Sequence, residues 1–167
     1  MKKWHWFLLA IILVGLDQFS KFWVESVLIP YKPMPVFPML NITLAYNTGA
    51  AFSFLSGAGG WHRWFFAVFS LIVSVILLIW LWRLPKEDKL QSLGVSFILG
   101  GAVGNLIDRV FSGCVVDFID VYYEYHHFAT FNLADSAICF GAAILMLDLL
   151  LQKDQPKDKH STQSHQS

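Results

Sequence analysis

Two aspartates, Asp117 and Asp135, have the types and the placement to carry out chemistry together. Asp117 follows one apolar stretch by a few residues, and Asp135 lies at the start of the next one. When two carboxyls are brought together, one pKa rises and the pair shares a proton. Such a pair activates a water molecule as general base and protonates a leaving amine as general acid. The pair is therefore a candidate for amide hydrolysis without a metal or a covalent intermediate.

Further polar residues are spaced so that they share helix faces near the same level of the fold. Asp17 and Lys21 are four residues apart, which places them on one face of a helix. Asn105, Asp108 and Arg109 follow an i, i+3, i+4 pattern. Ionisable groups inside apolar stretches are costly, so they are site candidates by default. The polar candidates beside the acid pair are Asp17, Lys21, Asn47, Asn105, Asp108, Arg109 and Asn132.

Each of these motifs also has a purely structural interpretation, which the sequence leaves open. Asn132 is suited to cap a helix with Asp135 as its capping-box acid, and this role is compatible with chemistry. Asp17 and Lys21 fit a structural ion pair equally well. Two further interpretations stay open, namely a juxtamembrane charge pair at Asp108 and Arg109 and ordinary loop acids at Asp117 and Asp120.

The elements that must position these residues are membrane-spanning helices. The chain is 56% hydrophobic and only 14% charged, with a mean hydropathy of +0.52. About 20 apolar residues span a bilayer as a helix. Four stretches predict spans at about 4–28, 64–82, 90–110 and 131–151. Small residues favour close packing of these helices, and they are Gly100, Gly101, Gly104, Ala137 and Gly141.

The distribution of lysine and arginine predicts the orientation of these spans. Most positive residues fall before the first span, between the second and third, and after the fourth. We therefore expect both termini to be cytoplasmic and the polar candidates to converge at the outer interface. The residues on the cytoplasmic side are Lys2, Lys3, Arg83, Lys86, Lys89, Lys153, Lys157 and Lys159.

Two segments, 29–62 and 111–130, are expected outside the membrane. The alternating residues 40–46 predict a strand, and Asn47-Thr48-Gly49 is a turn signal. We therefore predict an all-α membrane protein with four transmembrane helices, a small extracytoplasmic β-sheet and a short extracytoplasmic helix or loop. Residues 1–152 form one domain, and 153–167 form a polar cytoplasmic tail.

Competing classes of protein and site are less well supported. A transporter or channel needs polar groups through the whole membrane thickness, whereas 7–16 contains none. A non-catalytic chaperone for apolar helices would not need the acid pair.

The cluster Glu124, His126 and His127 does not have a recognised zinc spacing, so no metal is predicted. Cys139 is interpreted as a packing residue. The net charge of zero favours no nucleic-acid partner.

Five sequence blocks resemble, in order, those of lipoprotein signal peptidases (signal peptidase II). The resemblance covers about residues 5 to 150, and five blocks in order on a four-span chain make it specific. The blocks are residues 17–21, 47–52, 104–109, 115–118 and 131–136, with the sequences DQFSK, NTGAAF, GNLIDR, VVDF and FNLADS.

The resemblance implies an aspartyl peptidase of the bacterial inner membrane with Asp117 and Asp135 as the catalytic pair. Its substrates would be prolipoproteins whose cysteine carries diacylglycerol, cut just before that cysteine at the outer leaflet. Membrane lipid would be a further partner, globomycin-type cyclic peptides would inhibit, and no cofactor is implied. The residues that would shape the pocket and hold the substrate are Asp17, Lys21, Asn47, Gly49, Asn105, Asp108, Arg109 and Asn132.

Overall fold

Four long helices dominate the fold. A computed structural model describes residues 3–49 and 61–153 of the chain. Within these residues, four helices are long and apolar enough to cross a membrane. The four predicted spans are confirmed, and the largest difference is the start of the second, predicted at 64 and observed at Trp61. The helices are α1 (Trp4–Val27), α2 (Trp61–Arg83), α3 (Lys89–Phe111) and α4 (Leu133–Lys153).

Helix α3 is the central helix of the bundle, because its small residues allow its neighbours to approach closely. A Cβ atom at Gly101 would collide with the backbone of Ala134 in α4. A Cβ atom at Gly141 would lie 2.5 Å from the carbonyl oxygen of Gly94. Such contacts between backbones drive the association of helices in membranes, where apolar burial contributes little. The prediction of packing through small residues is confirmed.

A four-stranded antiparallel sheet lies at one end of the bundle, where α1 and α3 end and α4 begins. We call this the sheet end. Its strand order is β1-β2-β3-β4. Strand β1 contains Pro35, which cannot donate a ladder hydrogen bond and is therefore suited to an edge. The strands are β1 (Met34–Phe37), β2 (Leu40–Asn47), β3 (Val115–Tyr123) and β4 (His126–His127).

The sheet bears out the predicted strand at 40–46, and it also includes the second outer segment. Most of 111–130 forms β3 and β4, which belong to the predicted small sheet. Asp120 is consequently not an ordinary loop acid, since it is buried in β3. The part of the first outer segment at 50–60, and the expected tail after Lys153, lie outside the described residues.

An apolar cluster fixes the sheet to the helices. Val24 near the end of α1 packs with Leu44 of β2 and with Val116 and Phe118 of β3. Ala45 pairs with Asp117 across the two strands, and Asn47 pairs with Val115. This docking places the end of β2 and the start of β3 directly against the ends of the helices.

Candidate functional site

A capping box begins α4 and fixes Asp135. The Asn132 side-chain oxygen accepts a hydrogen bond from the Asp135 amide at 2.9 Å, and the Asp135 carboxylate accepts one from the Asn132 amide at 3.3 Å. This reciprocal arrangement satisfies two backbone donors that a helix start leaves unpaired. The structural interpretation of Asn132 and Asp135 is therefore right. It leaves the second Asp135 oxygen free to accept from Asn105 Nδ2 at 2.8 Å.

Asp117 lies on β3 with its carboxylate held by two amides. Asn47 Nδ2 donates to one oxygen at 3.0 Å, and Asn132 Nδ2 donates to the other at 2.8 Å. The residue is only 1% exposed, so it is not an ordinary loop acid. Strand pairing explains the contact with Asn47, because both residues lie where β2 and β3 run side by side.

The two aspartates are joined by a chain of hydrogen bonds. Asn132 Nδ2 also donates to Asn105 Oδ1 at 3.2 Å, and Asn105 in turn donates to Asp135. Asp117, Asn132, Asn105 and Asp135 therefore form one continuous polar path between β3, α4 and α3. The sequence prediction that these distant residues meet is borne out by this geometry.

The environment of Asp117 favours its protonated form. Burial raises the pKa of the Asp117 carboxyl to about 6, because the charged form loses its hydration. The negative charge of Asp135 acts in the same direction, while the hydrogen bonds from Asn47 and Asn132 oppose it. The carboxyl of Asp117 thus holds a proton at a pH where an exposed aspartate is ionised.

A buried ion cluster is connected to the acid pair through Asn105. Lys21 Nζ contacts Asp17 at 2.8 Å and Asp108 at 2.7 Å, and it donates to Asn105 Oδ1 at 3.1 Å. The other oxygen of Asp17 accepts a hydrogen bond from the Ala134 amide in the first turn of α4. The interpretation of Asp17 and Lys21 as an ion pair is right, and the pair also connects α1 to α3 and α4.

Arg109 and Asp108, adjacent in sequence, have different partners. Asp108 is paired with Lys21, so the interpretation of Asp108 and Arg109 as a charge pair is wrong. Arg109 Nη1 donates to the Asn105 carbonyl at 3.0 Å, and its guanidinium lies over the Phe66 ring, 5.9 Å from the centroid. The guanidinium thereby links the site to α2.

Gly49 has a conformation and a neighbour that exclude a side chain. Its φ is +90°, and its amide donates to Asn47 Oδ1 at 2.9 Å. A Cβ atom there would lie 2.5 Å from the Phe66 ring. The turn therefore requires glycine, and it holds the Asn47 side chain in the orientation that reaches Asp117.

Sequence reasoning missed several polar partners. Gln18 donates to Asp108 Oδ1 at 2.9 Å. Its position beside Asp17 was a signal that could have identified it as a residue of the site. Asp120 accepts from Asn41, Thr43 and His127. Asn41 and Thr43 alternate along β2, as residues on one face of a strand do. Among the described residues, no group of three His, Cys, Asp or Glu side chains is placed to hold a metal ion.

An apolar groove runs along α4 beside Asp135. Its volume is about 590 Å³. Cys139 lies on this groove and is exposed, so the interpretation of Cys139 as a packing residue is wrong. The lining residues are Phe131, Asp135, Ser136, Cys139, Phe140 and Ala143. An apolar groove that begins at a carboxyl group is suited to an apolar ligand with one polar, reactive end.

The fold is that of a class of bacterial membrane enzymes. One solved structure, described as a bacterial membrane enzyme at 2.3 Å resolution, is similar with a TM-score of 0.80 and 32% identity. The alignment covers 94% of both chains. A second one, at 1.9 Å resolution, has a TM-score of 0.78 and 33% identity over 90% of this chain and 94% of that one.

Sequence comparisons narrow this class to one family. The model described as Signal peptidase (SPase) II matches residues 9–151. A lipoprotein signal peptidase of Acinetobacter baumannii is 50% identical over 92% of this chain and 88% of its own. Another, from Hydrogenovibrio crunogenus, is 46% identical over 93% and 91%. The chain belongs to the signal peptidase II family.

Membership in this family decides between the competing classes. The chain is a multi-pass bacterial membrane peptidase, a hydrolase that removes signal peptides from prolipoproteins. The transporter and chaperone hypotheses are therefore wrong. The resemblance found from the five sequence blocks is confirmed.

Proposed function

We propose that Asp117 and Asp135 are the catalytic pair of an aspartyl endopeptidase. The observation that carries this proposal is the hydrogen-bonded path that joins the two carboxyls through Asn132 and Asn105. Two acids on one buried path cannot both ionise at low cost, so they hold one proton between them. The raised pKa of Asp117 supports assigning this proton to Asp117.

The reaction would proceed by acid–base activation of water. The Asp135 carboxylate takes a proton from a water molecule, whose oxygen attacks the scissile carbonyl carbon, while protonated Asp117 gives its proton to the carbonyl oxygen. Asp135 then gives its proton to the leaving amide nitrogen, and the C–N bond breaks. Asp117 recovers a proton from the hydroxyl that becomes the new carboxyl group. The cycle balances without a metal or a cofactor.

The substrate would be a prolipoprotein whose cysteine carries diacylglycerol, cut just before that cysteine. The groove beside Asp135 supports this proposal, because its apolar wall along α4 suits an acyl chain that descends from the scissile bond into the bilayer. The distribution of lysine and arginine supports cytoplasmic termini and a site at the outer leaflet. A globomycin-type cyclic peptide would then compete for the same site.

The remaining polar residues would shape the pocket and hold the substrate. Asn47 and Gly49 form the turn against Asp117, where a substrate backbone would pass. Arg109, which interacts electrostatically with both acids and lies over the Phe66 ring of α2, would stabilise negative charge that develops on the substrate. The buried cluster would keep the acids in position. The residues proposed for these roles are Asp17, Lys21, Asn47, Gly49, Asn105, Asp108, Arg109 and Asn132.

Asparagine variants of the two acids test this assignment. We expect Asp117→Asn and Asp135→Asn to lower kcat at least about 10³-fold, because each removes a proton transfer that acid–base catalysis requires. Cleavage of a lipidated precursor peptide by purified enzyme in detergent gives the measurement. Asp148→Asn, at the opposite end of α4, is the matched control and should keep its activity. Full turnover by either site variant would rule out the pair.

The lipid requirement is tested with the same enzyme. A precursor without the diacylglyceryl group should be cut poorly, because it cannot occupy the apolar groove. Equal kcat/KM values for the modified and unmodified peptides would contradict the proposed substrate while leaving the catalytic pair intact.

A further inference from the structure

One side chain of α2 satisfies the end of α3. A helix leaves its last four carbonyl groups without partners inside the helix. At the end of α3, the Asp108 carbonyl accepts from the amides of Ser112 and Gly113 at 2.8 and 3.1 Å. Arg63 supplies the other three, since Nε donates to one carbonyl at 3.0 Å and Nη2 to two others at 2.5 and 3.5 Å. Those carbonyls belong to Arg109, Val110 and Phe111.

The chemistry of arginine fits this position better than that of any other residue. Its planar guanidinium presents several donors in a fixed fork, so one side chain reaches several carbonyls. Its permanent positive charge also interacts favourably with the negative end of the helix dipole. Gly113 leaves room for it, because a Cβ atom there would lie 3.1 Å from Arg63 Cδ and 3.2 Å from Nε.

The capped end of α3 leads directly into the candidate catalytic strand. Gly113, with φ of +78°, makes the turn, and Asp117 follows four residues later. The Val116 amide, next to Asp117, donates to the Asp108 carboxylate at 3.3 Å. The last turns of α3 also carry Asn105, which donates to Asp135. A shift of the α3 end would therefore move groups on both sides of the acid pair.

We propose that Arg63 is a positioning residue for peptide hydrolysis. By binding the last carbonyls of α3, it holds the turn at Gly113 in place and so fixes the distance between Asp117 and Asp135. This role rests on the proposed catalytic function of that pair. In this proposal Arg63 acts through the backbone of α3 and not by contact with the substrate or the reacting atoms.

Substitutions at Arg63 should lower kcat rather than raise KM. A misplacement of about 1 Å costs up to about 10²-fold in rate, so we expect Arg63→Gln to lower kcat about tenfold with KM within about twofold. Arg63→Lys keeps the charge and one donor, and it should recover part of the loss. Arg83→Gln removes the same charge from the exposed, opposite end of α2 and should leave both constants unchanged.

A double-mutant cycle with Gly113 separates positioning from general destabilisation. Gly113→Ala crowds the guanidinium with its new Cβ atom and strains a turn whose φ is +78°, so it should lower kcat by itself. In the Arg63→Gln background only the strain of the turn remains, and the same substitution should lower kcat by a smaller factor. Independent, multiplicative effects on kcat would show that the two residues do not act through one contact.

Rates are measured per folded enzyme, with the lipidated peptide and with size-exclusion chromatography in detergent as the folding control. If Arg63→Gln does not fold, Arg63→Lys and Gly113→Ala carry the test. The proposal is overturned if Arg63→Gln keeps the wild-type kcat, or if only KM rises, which would indicate direct substrate contact. Loss of cleavage in Asp117→Asn under the same conditions distinguishes this failure from a failure of the catalytic pair.

Discussion

Asn47 donates one of the two side-chain hydrogen bonds that hold the Asp117 carboxylate. Removing the Asn47 side chain tests how Asp117 retains the proton of the acid pair. The bond favours the charged form, so it opposes the rise in pKa that burial causes. Asn47→Ala deletes this donor and leaves the bond from Asn132 in place. We therefore expect the pKa of Asp117 to rise above its value of about 6.

The size of this shift follows from the strength of the bond. A hydrogen bond to a charged group contributes about 1.5–3 kcal/mol. Asn47 is exposed, so water replaces part of the interaction and the lower end of this range applies. Since 1.36 kcal/mol corresponds to one pKa unit, the pKa of Asp117 should rise by about one unit.

The pH dependence of kcat/KM measures this shift. Activity requires the shared proton, so kcat/KM of the wild-type enzyme should fall as the pH rises through about 6. In Asn47→Ala the same limb should lie about one unit higher, with a lower maximum because the carboxyl is less well positioned. Asn47→Asp would introduce a negative charge and should move the limb in the same direction. An unchanged limb in both variants would refute the assignment of the proton to Asp117.

Two further predictions concern stability. Gly104→Ala would place a Cβ atom 2.6 Å from Asp17 Oδ2, and it should destabilise the fold by about 1–3 kcal/mol in thermal unfolding. Gly15→Ala is the matched control and should not destabilise, because its new Cβ atom would lie within 4 Å of none of the described neighbouring residues. Burial opposes ionisation of Asp120, yet hydrogen bonds led by that of His127 hold its pKa below the usual value. Stability from Asp120 is therefore present above the unfolded-state pKa of about 4 and lost as the pH falls through the lower folded value. Asp120→Asn should abolish this acid-dependent loss, and persistence of the loss would contradict it.

The membrane architecture was predictable from the sequence because long apolar stretches have few alternatives in lipid. The spacing of Asn105 and Asp108 on one helix face, and the level of Asp135 in the next helix, followed from the same helical geometry. Helical periodicity gives the face on which a residue lies, and the rise per residue gives its position along the helix axis. Five blocks in family order then gave the activity.

The contacts between elements were not predictable in the same way. The partner of Asp108 depends on how α1 packs against α3. The sequence suggested the adjacent Arg109, whereas the structure pairs Asp108 with Lys21 of α1. The pairing of β2 with β3 joins residues about 80 positions apart, and local sequence patterns do not reveal such pairing. The interpretation of Asp120 as a loop acid was wrong for this reason. The contact of Arg63 with α3 was not predictable, since no local pattern indicates that a side chain will cap another helix.

The shielding of α3 by its neighbours has a consequence for how the protein is made. In the apolar stretch of α3, 56% of the residues are buried inside the protein, against 17–22% in the other three helices. The mean hydropathy of α3, 1.5, is the lowest of the four. A nascent chain that stops before α4 would expose the glycine backbone and the charges of α3 to lipid. Synthesis of α4 therefore shields α3 from lipid and, on the proposed catalytic assignment, supplies Asp135 at the same time, so a chain that lacks α4 should be inactive.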